Sequence, residues 1–312
     1  MNLYRTANSA APTNTVVALG CFDGVHKGHR AVLNETRRIA TEKNCDAAVW
    51  TFEEPPKSFF MKDPIPLLTS TEEKCAIIES LGMDHLFCIP FDLSIAQISA
   101  EDFFYEILLG RLHAIHLVCG FNYSFGARGL GNVTLLEQLC HQNGIGLSIL
   151  PPVLINDLPI SSSLIRKALQ EGRPEEAANA LTRPYSVTAP VVNGQKLARR
   201  LGFPTVNQIL PLRMTVPRYG VYLSRVRING KSNSYFGITN IGMRPTVGGT
   251  LLCAETHLFD FDGDLYGSII TTEILTFLRD EKRYDSLEAL TEQVRADIAI
   301  AKDIVATNNL IC

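Results

Sequence analysis

Five short apolar runs punctuate the first half of the chain: Thr15–Gly20, Ala47–Phe52, His85–Pro90, Ile115–Gly120 and Leu147–Pro151. Each reads as a buried strand. Between them lie four stretches with helical spacing. Residues 27–43 place Val32, Leu33, Thr36, Ile39 and Ala40 on one face. Residues 71–81 follow Ser70, with Glu73 three positions on, which is a capping box. Residues 100–113 follow Ser99 with Asp102 in the same relation, and residues 132–143 follow Gly131-Asn132. Strand and helix in alternation predict a doubly wound parallel sheet with helices on both faces. Residues 1–14 read as a short tail.

From about Tyr185 the period changes. Strand-like runs cover Tyr185–Val192, Val221–Ile228, Tyr235–Ile241, Leu251–Phe259 and Ile269–Phe277. Turn signals separate them: Asn193-Gly194, Asn229-Gly230 and Asp262-Gly263. This predicts an antiparallel β-barrel or sandwich. A long terminal helix follows over about residues 286–306. Its apolar stripe is Leu287, Leu290, Val294, Ile298, Ala301 and Val305. Thr182-Arg-Pro184 reads as the linker, giving domains 1–181 and 182–312.

Length agrees with two domains, at 312 residues. Net charge is −3 and neither half is basic, so broad electrostatic binding of nucleic acid is not expected. No run approaches the ~18 apolar residues of a membrane span, and the N-terminus lacks the pattern of a secretory signal. None of the eight cysteines forms a C-x-x-C pair. They predict a reducing, cytoplasmic setting without disulfides.

Parallel sheets bind ligands beyond the carboxyl ends of their strands. Four unusual segments fall there: Cys21-Phe-Asp-Gly-Val-His-Lys-Gly-His29, Glu53-Glu-Pro-Pro-Lys57, Phe121-Asn-Tyr-Ser-Phe-Gly126 and Ser161-Ser-Ser-Leu-Ile-Arg166. In the first, Asp23-Gly24 makes a tight turn into a helix beginning near His26. Free N–H groups at a helix start suit phosphate. His26 and His29 share one face of that first turn, and Gly28 removes a side chain between them. Together they could hold a triphosphate and stabilise charge on departing pyrophosphate. The plain alternative is a surface accident or half a metal site. Ser162 and Arg166 offer hydroxyl and guanidinium to phosphate, against simple N-capping.

In the second half, Thr205 and Asn207 are two apart and point to one side of an extended chain. They offer hard oxygen ligands for Mg²⁺ carrying ATP phosphates, against a turn built around Pro204. Glu255 and His257 share one strand face. An interior carboxylate there would have a raised pKa and could take a proton from a hydroxyl. The alternative is that this face simply meets solvent.

The segments Gly20–His29 and Ile160–Arg166 resemble the adenylyltransferase module of bacterial bifunctional riboflavin kinase/FAD synthetases, within the HxGH nucleotidyltransferase superfamily. Leu201–Asn207, Gly220–Tyr222, Asn240–Thr246, Glu255–His257, Leu265–Gly267 and Phe277–Asp280 resemble the kinase module in family order. The resemblance implies an enzyme that phosphorylates riboflavin to FMN and adenylylates FMN to FAD, using ATP and Mg²⁺. Narrower alternatives are a single retained activity, FAD formation ahead of riboflavin phosphorylation, or a flavin- or nucleotide-binding regulator without turnover. It implies ATP contacts at Gly20, Phe22, Asp23, Gly24, His26, Gly28, His29, Ser162, Arg166, Gly202, Thr205 and Asn207. His29 and Arg166 would be catalytic, Glu255 the general base, Thr205 and Asn207 the metal ligands. Asn122, Phe125 and Arg279 would meet flavin. Small molecules are the expected partners, with no nucleic acid or membrane; a homo-oligomer stays open. The chain departs from the pattern at Cys21, Glu54-Pro55-Pro56, Asn122-Tyr123, Ala198 and Val206.

Overall fold

The computed structural model describes residues 1–194, 201–229, 233–246 and 249–308. The chain divides into two compact units, Met1–Ser162 and Ser163–Cys312. Ala198, the altered position in the glycine-rich segment, lies outside the described residues.

In the first unit, β1 (Asn2–Tyr4), β2 (Thr15–Leu19), β3 (Asp46–Phe52), β4 (His85–Ile89) and β5 (Ala114–Gly120) join a later strand in one sheet. A two-residue ladder, β6 (Ser124–Phe125) with β7 (Gly131–Asn132), follows β5. Then comes β8 (Gly146–Leu150). The sheet order is β1-β4-β3-β2-β5-β8, and each pairing is parallel. Alternate residues of β2 face different cores. Val16 and Ala18 pack with α1 (Lys27–Lys43) and α2 (Thr71–Ser80). Val17 and Leu19 face the opposite layer, which includes Phe104, Ile107 and Leu136. The doubly wound expectation holds, with strand limits shifted by one residue.

Two local expectations fail. The N-terminal tail contains β1, whose three residues pair with His85–Phe87 of β4. The helix expected over 100–113 starts as α4 (Ala100–Asp102), after a short α3 (Leu93–Ala96), and widens into a π-helix at Phe103–Leu109. Phe103, Phe104, Ile107 and Leu108 are all buried there. The apolar spacing signals a helix but cannot distinguish i→i+4 from i→i+5 bonding. Capping matches the sequence: Ser70 Oγ accepts from Glu73 N at 3.1 Å and Ser99 Oγ from Asp102 N at 2.9 Å. Before α5 (Val133–Asn143), Asn132 caps through Leu135 N. Another two-residue ladder, β9 (Leu154–Ile155) with β10 (Leu158–Pro159), precedes α6 (Ser162–Gln170).

The second unit contains most of α6, then α7 (Pro174–Leu181) and a closed barrel. Its strands are β11 (Tyr185–Val192), β12 (Thr205–Ile209), β13 (Gly220–Ile228), β14 (Ser234–Thr246), β15 (Gly249–Leu258) and β16 (Ile269–Asp280). They close antiparallel in the order β11-β12-β15-β14-β13-β16. The sixth strand, β12, carries Thr205 and Asn207. Inside the barrel, Ser224, Thr239 and Thr256 form a buried hydroxyl chain. Gln208 also points inward, donating to Ala189 O and Ile270 O.

The terminal helix α8 (Leu287–Thr307) begins at its cap Ser286. Val294, Ile298, Ala301 and Val305 pack over Val221, Leu223 and Ile238 on the outer wall. Leu287 does not join the stripe, being 50% exposed. Asp297 takes a buried place instead, at 2% exposure.

Candidate functional site

The first unit has a cleft of about 1230 Å³ at the carboxyl ends of its strands. Loops after β2, β3, β5 and β8 all reach it. The chain reverses direction across the sheet between β3 and β5, on either side of β2, so the cleft lies at the topological switch point.

Its floor is the start of α1. His26 is the N-cap, and its Nδ1 accepts from His29 N at 3.3 Å. That bond leaves the Nδ1 bare and the proton on Nε2, a free donor. The two imidazoles stack with centroids 3.6 Å apart. A Cβ on Gly28 would lie 3.2 Å from the His26 ring, so glycine makes room for the stacked pair. Burial lowers the His26 pKa to about 4. Burial also holds His29 well below its ordinary value, helped by the charges of His26 and Lys74. Both rings are therefore neutral donors at pH 7. His29 Nδ1 is buried without a hydrogen-bond partner, as expected of a group kept for a ligand.

The other predicted residues separate. Gly20, Phe22, Asn122, Phe125 and Ser162 line the cleft with the two histidines. Phe22 sits edge-on to His29 at 5.3 Å, and Tyr123 stacks on Phe125. Asp23 and Gly24 do not line it. Asp23 Oδ1 accepts from Leu68 N at 2.9 Å, and Gly24 N donates to Thr69 Oγ1 at 3.2 Å, so these residues brace the turn. Ser162 Oγ donates to Asp23 O at 2.9 Å. Arg166 is four residues along α6 and shares that helix face with Ser162.

Lys57 was read only as the end of a loop segment, and Arg128 and Lys74 escaped the sequence reading. Lys57 and Arg128 line the cavity. Lys74, only 2% exposed, donates to the carbonyls of Phe52 (2.5 Å) and Glu53 (3.2 Å), clamping the end of β3. Exposed loop cations carry no periodic signal, and Lys74 lies within an ordinary amphipathic pattern.

In the barrel, the ladder sets Asn207 opposite Glu255, Glu255 opposite Asn240, Asn240 opposite Val221 and Val221 opposite Arg279. Directly opposed residues share a sheet face. One transverse row thus carries Asn207, Glu255, Asn240 and Arg279 across neighbouring strands. The same registry puts Thr205 opposite His257. Since Thr256 and Gln208 point inward, this row lies on the outer wall. The expected interior carboxylate is therefore on the outside, but it is not simply solvated: burial raises the Glu255 pKa, Arg244 pulls it down and Glu281 pushes it up. Arg244 is ion-paired to Glu255. Val206, one of the departures, packs toward the inner core with Val191 and Val226 and leaves the row untouched.

His257 Nδ1 lies 2.9 Å from Pro204 O, fixing the entry to β12. Thr205 and Asn207 line a smaller cavity of about 320 Å³ with Asp262 and Asp264. Gly202, with φ 87°, lies in the turn before it. At the far end of the row, Arg279 grips Asp297 through Nε and Nη2, at 3.0 and 2.7 Å. Among the described residues, no group of three or more His, Cys, Asp or Glu side chains converges as a metal nest. Thr205 and Asn207 supply an oxygen donor set of the kind Mg²⁺ takes together with phosphates and water.

Two family models match the chain. Residues 8–164 match the FAD synthetase family model, and residues 181–305 the riboflavin kinase model. A bifunctional riboflavin kinase/FMN adenylyltransferase of Pseudomonas fluorescens is 36% identical over 98% of both chains. The protein so named in Escherichia coli K12 is 34% identical over 95% of this chain and 94% of its own. A solved Streptococcus pneumoniae structure described as a macrolide-efflux protein superposes with TM-score 0.87 at 28% identity, covering 97% and 99% of the two chains. No helix among the described residues is long and apolar enough to cross a membrane.

Proposed function

The chain belongs to the bifunctional riboflavin kinase/FMN adenylyltransferase family, and we propose that both of its sites turn over. The observation that carries this reading is that each unit keeps its own reactive set assembled: the stacked neutral histidines in one, the Asn207–Glu255–Arg279 row in the other.

In the first unit, the amides opening α1 and the two imidazoles bind the ATP phosphates. They stabilise the charge that develops on pyrophosphate as FMN takes the adenylyl group. Asn122 and Phe125 position the flavin. Arg166 offers a fork to phosphate oxygens from the Ser162 helix. We place the functional boundary at 181/182, because α6 begins with a cleft residue.

In the second unit, Glu255 accepts the proton of the riboflavin 5′-hydroxyl as that oxygen attacks the γ-phosphate. Its raised pKa suits it to this task. Thr205 and Asn207 would hold Mg²⁺, which neutralises phosphate charge when bound. Arg279, fixed by Asp297, orients the flavin end. A cytoplasmic setting accords with the seven described cysteines, all free thiols.

The test is direct. Purified protein is incubated with Mg²⁺ and ATP, in one arm with riboflavin and in the other with FMN, and the flavins are resolved by chromatography. FMN and FAD are both expected from riboflavin. FAD from FMN without any FMN from riboflavin would leave a single activity. Tight flavin binding without product would leave a regulator.

A further inference from the structure

The cleft of the first unit has no aspartate or glutamate among its lining residues. Its lining includes two basic side chains besides the histidines, Lys57 and Arg128. Lys57 follows β3 and Arg128 follows β5. Since β3 and β5 flank β2, the two cations stand on opposite sides of the loop that carries His26 and His29.

Arg128 is held in a costly way. Its backbone lies at φ 56° and ψ 15°, a left-handed conformation that disfavours any residue with a β-carbon. The residues just before it lie close against the segment around Ala100. Ala127 N donates to Ile98 O at 2.6 Å. A Cβ on Gly126, itself at φ 73°, would come within 2.7 Å of the Ala100 backbone. Four arginines of this unit have partners, Arg5 with Glu53, Arg37 with Asp84, Arg38 with Glu35 and Glu42, and Arg111 with Asn8, whereas the buried Arg30 Nε has no hydrogen-bond partner. Among the described residues the Arg128 guanidinium has neither an ion pair nor a hydrogen bond. A strained, exposed cation with no structural partner points to a ligand.

The ATP phosphates are already served by the histidines and the α1 amides. The second anion in adenylylation, on the reading given above, is the phosphate monoester of FMN. The loop bearing Arg128 also carries Asn122 and Phe125. We infer that Arg128 receives the 5′-phosphate of FMN and thereby selects the phosphorylated flavin over riboflavin. In the reaction, an oxygen of that phosphate bonds to the α-phosphorus of ATP. The bond from the α-phosphorus to the bridging oxygen breaks, and pyrophosphate leaves with its electron pair. A guanidinium offsets the repulsion between the two approaching anions, and its planar fork fits two phosphate oxygens.

The decisive variants are Arg128→Gly and Arg128→Lys in the full chain. FAD formation is measured with FMN varied at saturating Mg²⁺–ATP, using lumiflavin, which lacks the ribityl phosphate, as a dead-end inhibitor. For Arg128→Gly the KM for FMN should rise about tenfold or more, as loss of a charge-assisted contact implies. The KM for ATP, the lumiflavin inhibition constant and riboflavin phosphorylation should stay put. The melting temperature should hold or rise, because glycine relieves the left-handed strain. Arg128→Lys should fall between. An unchanged KM for FMN overturns the inference, as does a rise in the KM for ATP instead. A parallel rise in the lumiflavin constant also overturns it, since the loop would then be shaping the ring site. If the unaltered protein makes no FAD from FMN, the adenylylation reading fails first. If it does, and Arg128→Gly retains the FMN KM, only this inference falls.

Discussion

Glu255 sits between opposing influences, and its pH behaviour follows from their signs. Burial and Glu281 raise its pKa, while Arg244 lowers it. A general base works only when ionised, so riboflavin phosphorylation should fall with acid around a pKa above the ordinary 4.5 of a glutamate. Arg244→Gln removes the lowering partner, and the acid limb of kcat/KM should move to higher pH. A limb that stays in place or moves down means that Glu255 is not the group being titrated. The sequence showed that Glu255 and His257 share a face. It could not show that this face is the outer wall yet sheltered, because alternation gives sidedness without cover. His26 and His29 were legible because a helix start explains them locally. Arg128 was not, since its meaning lies in a strained φ and in the partners it lacks.

Among the elements, α8 shows where a periodic pattern misleads. Its apolar stripe was visible, but the buried position at Asp297 reads as polar and the apolar Leu287 is half exposed. Register explains the exchange. Val221 and Arg279 are opposed on adjacent strands, so α8 must meet a guanidinium as well as aliphatic side chains. Asp297 answers it with two hydrogen-bonded oxygens, and Gln293 donates to the same carboxylate at 3.0 Å. Removing one partner of a well-buried ion pair costs about 3–5 kcal/mol. Arg279 retains 23% side-chain exposure, so Asp297→Ala should cost less, about 2 kcal/mol by urea unfolding. A loss below about 0.5 kcal/mol, within the range of surface pairs, would make the pair incidental. The π-helix and β1 were hidden for related reasons. One depends on a single extra residue per turn, and the other is three residues paired across 83 positions of chain.

For the whole molecule, the alternation of strands and helices and then the change to short strands were enough to separate two fold classes. The barrel was expected from the short strands, but the strand that closes it was not legible, because the registry of β12 between β11 and β15 is a non-local fact. On the proposed reading, the start of α1 carries the reactive pair of one unit and barrel strands carry that of the other, and this leads to the strongest test of independence. His29→Ala should abolish FAD formation and spare FMN formation. Glu255→Ala should do the reverse, with a loss of about 10²–10⁴ in rate for a positioned base. Mixed together, the two defective proteins should convert riboflavin to FAD, since one releases FMN and the other consumes it. FMN should accumulate first, and FAD should follow after a lag that shortens as the second protein is added. A mixture that forms FMN but never FAD would mean that the adenylylating site accepts flavin only from its own chain. Loss of both activities in either single variant would mean that the two sites are not separable at all.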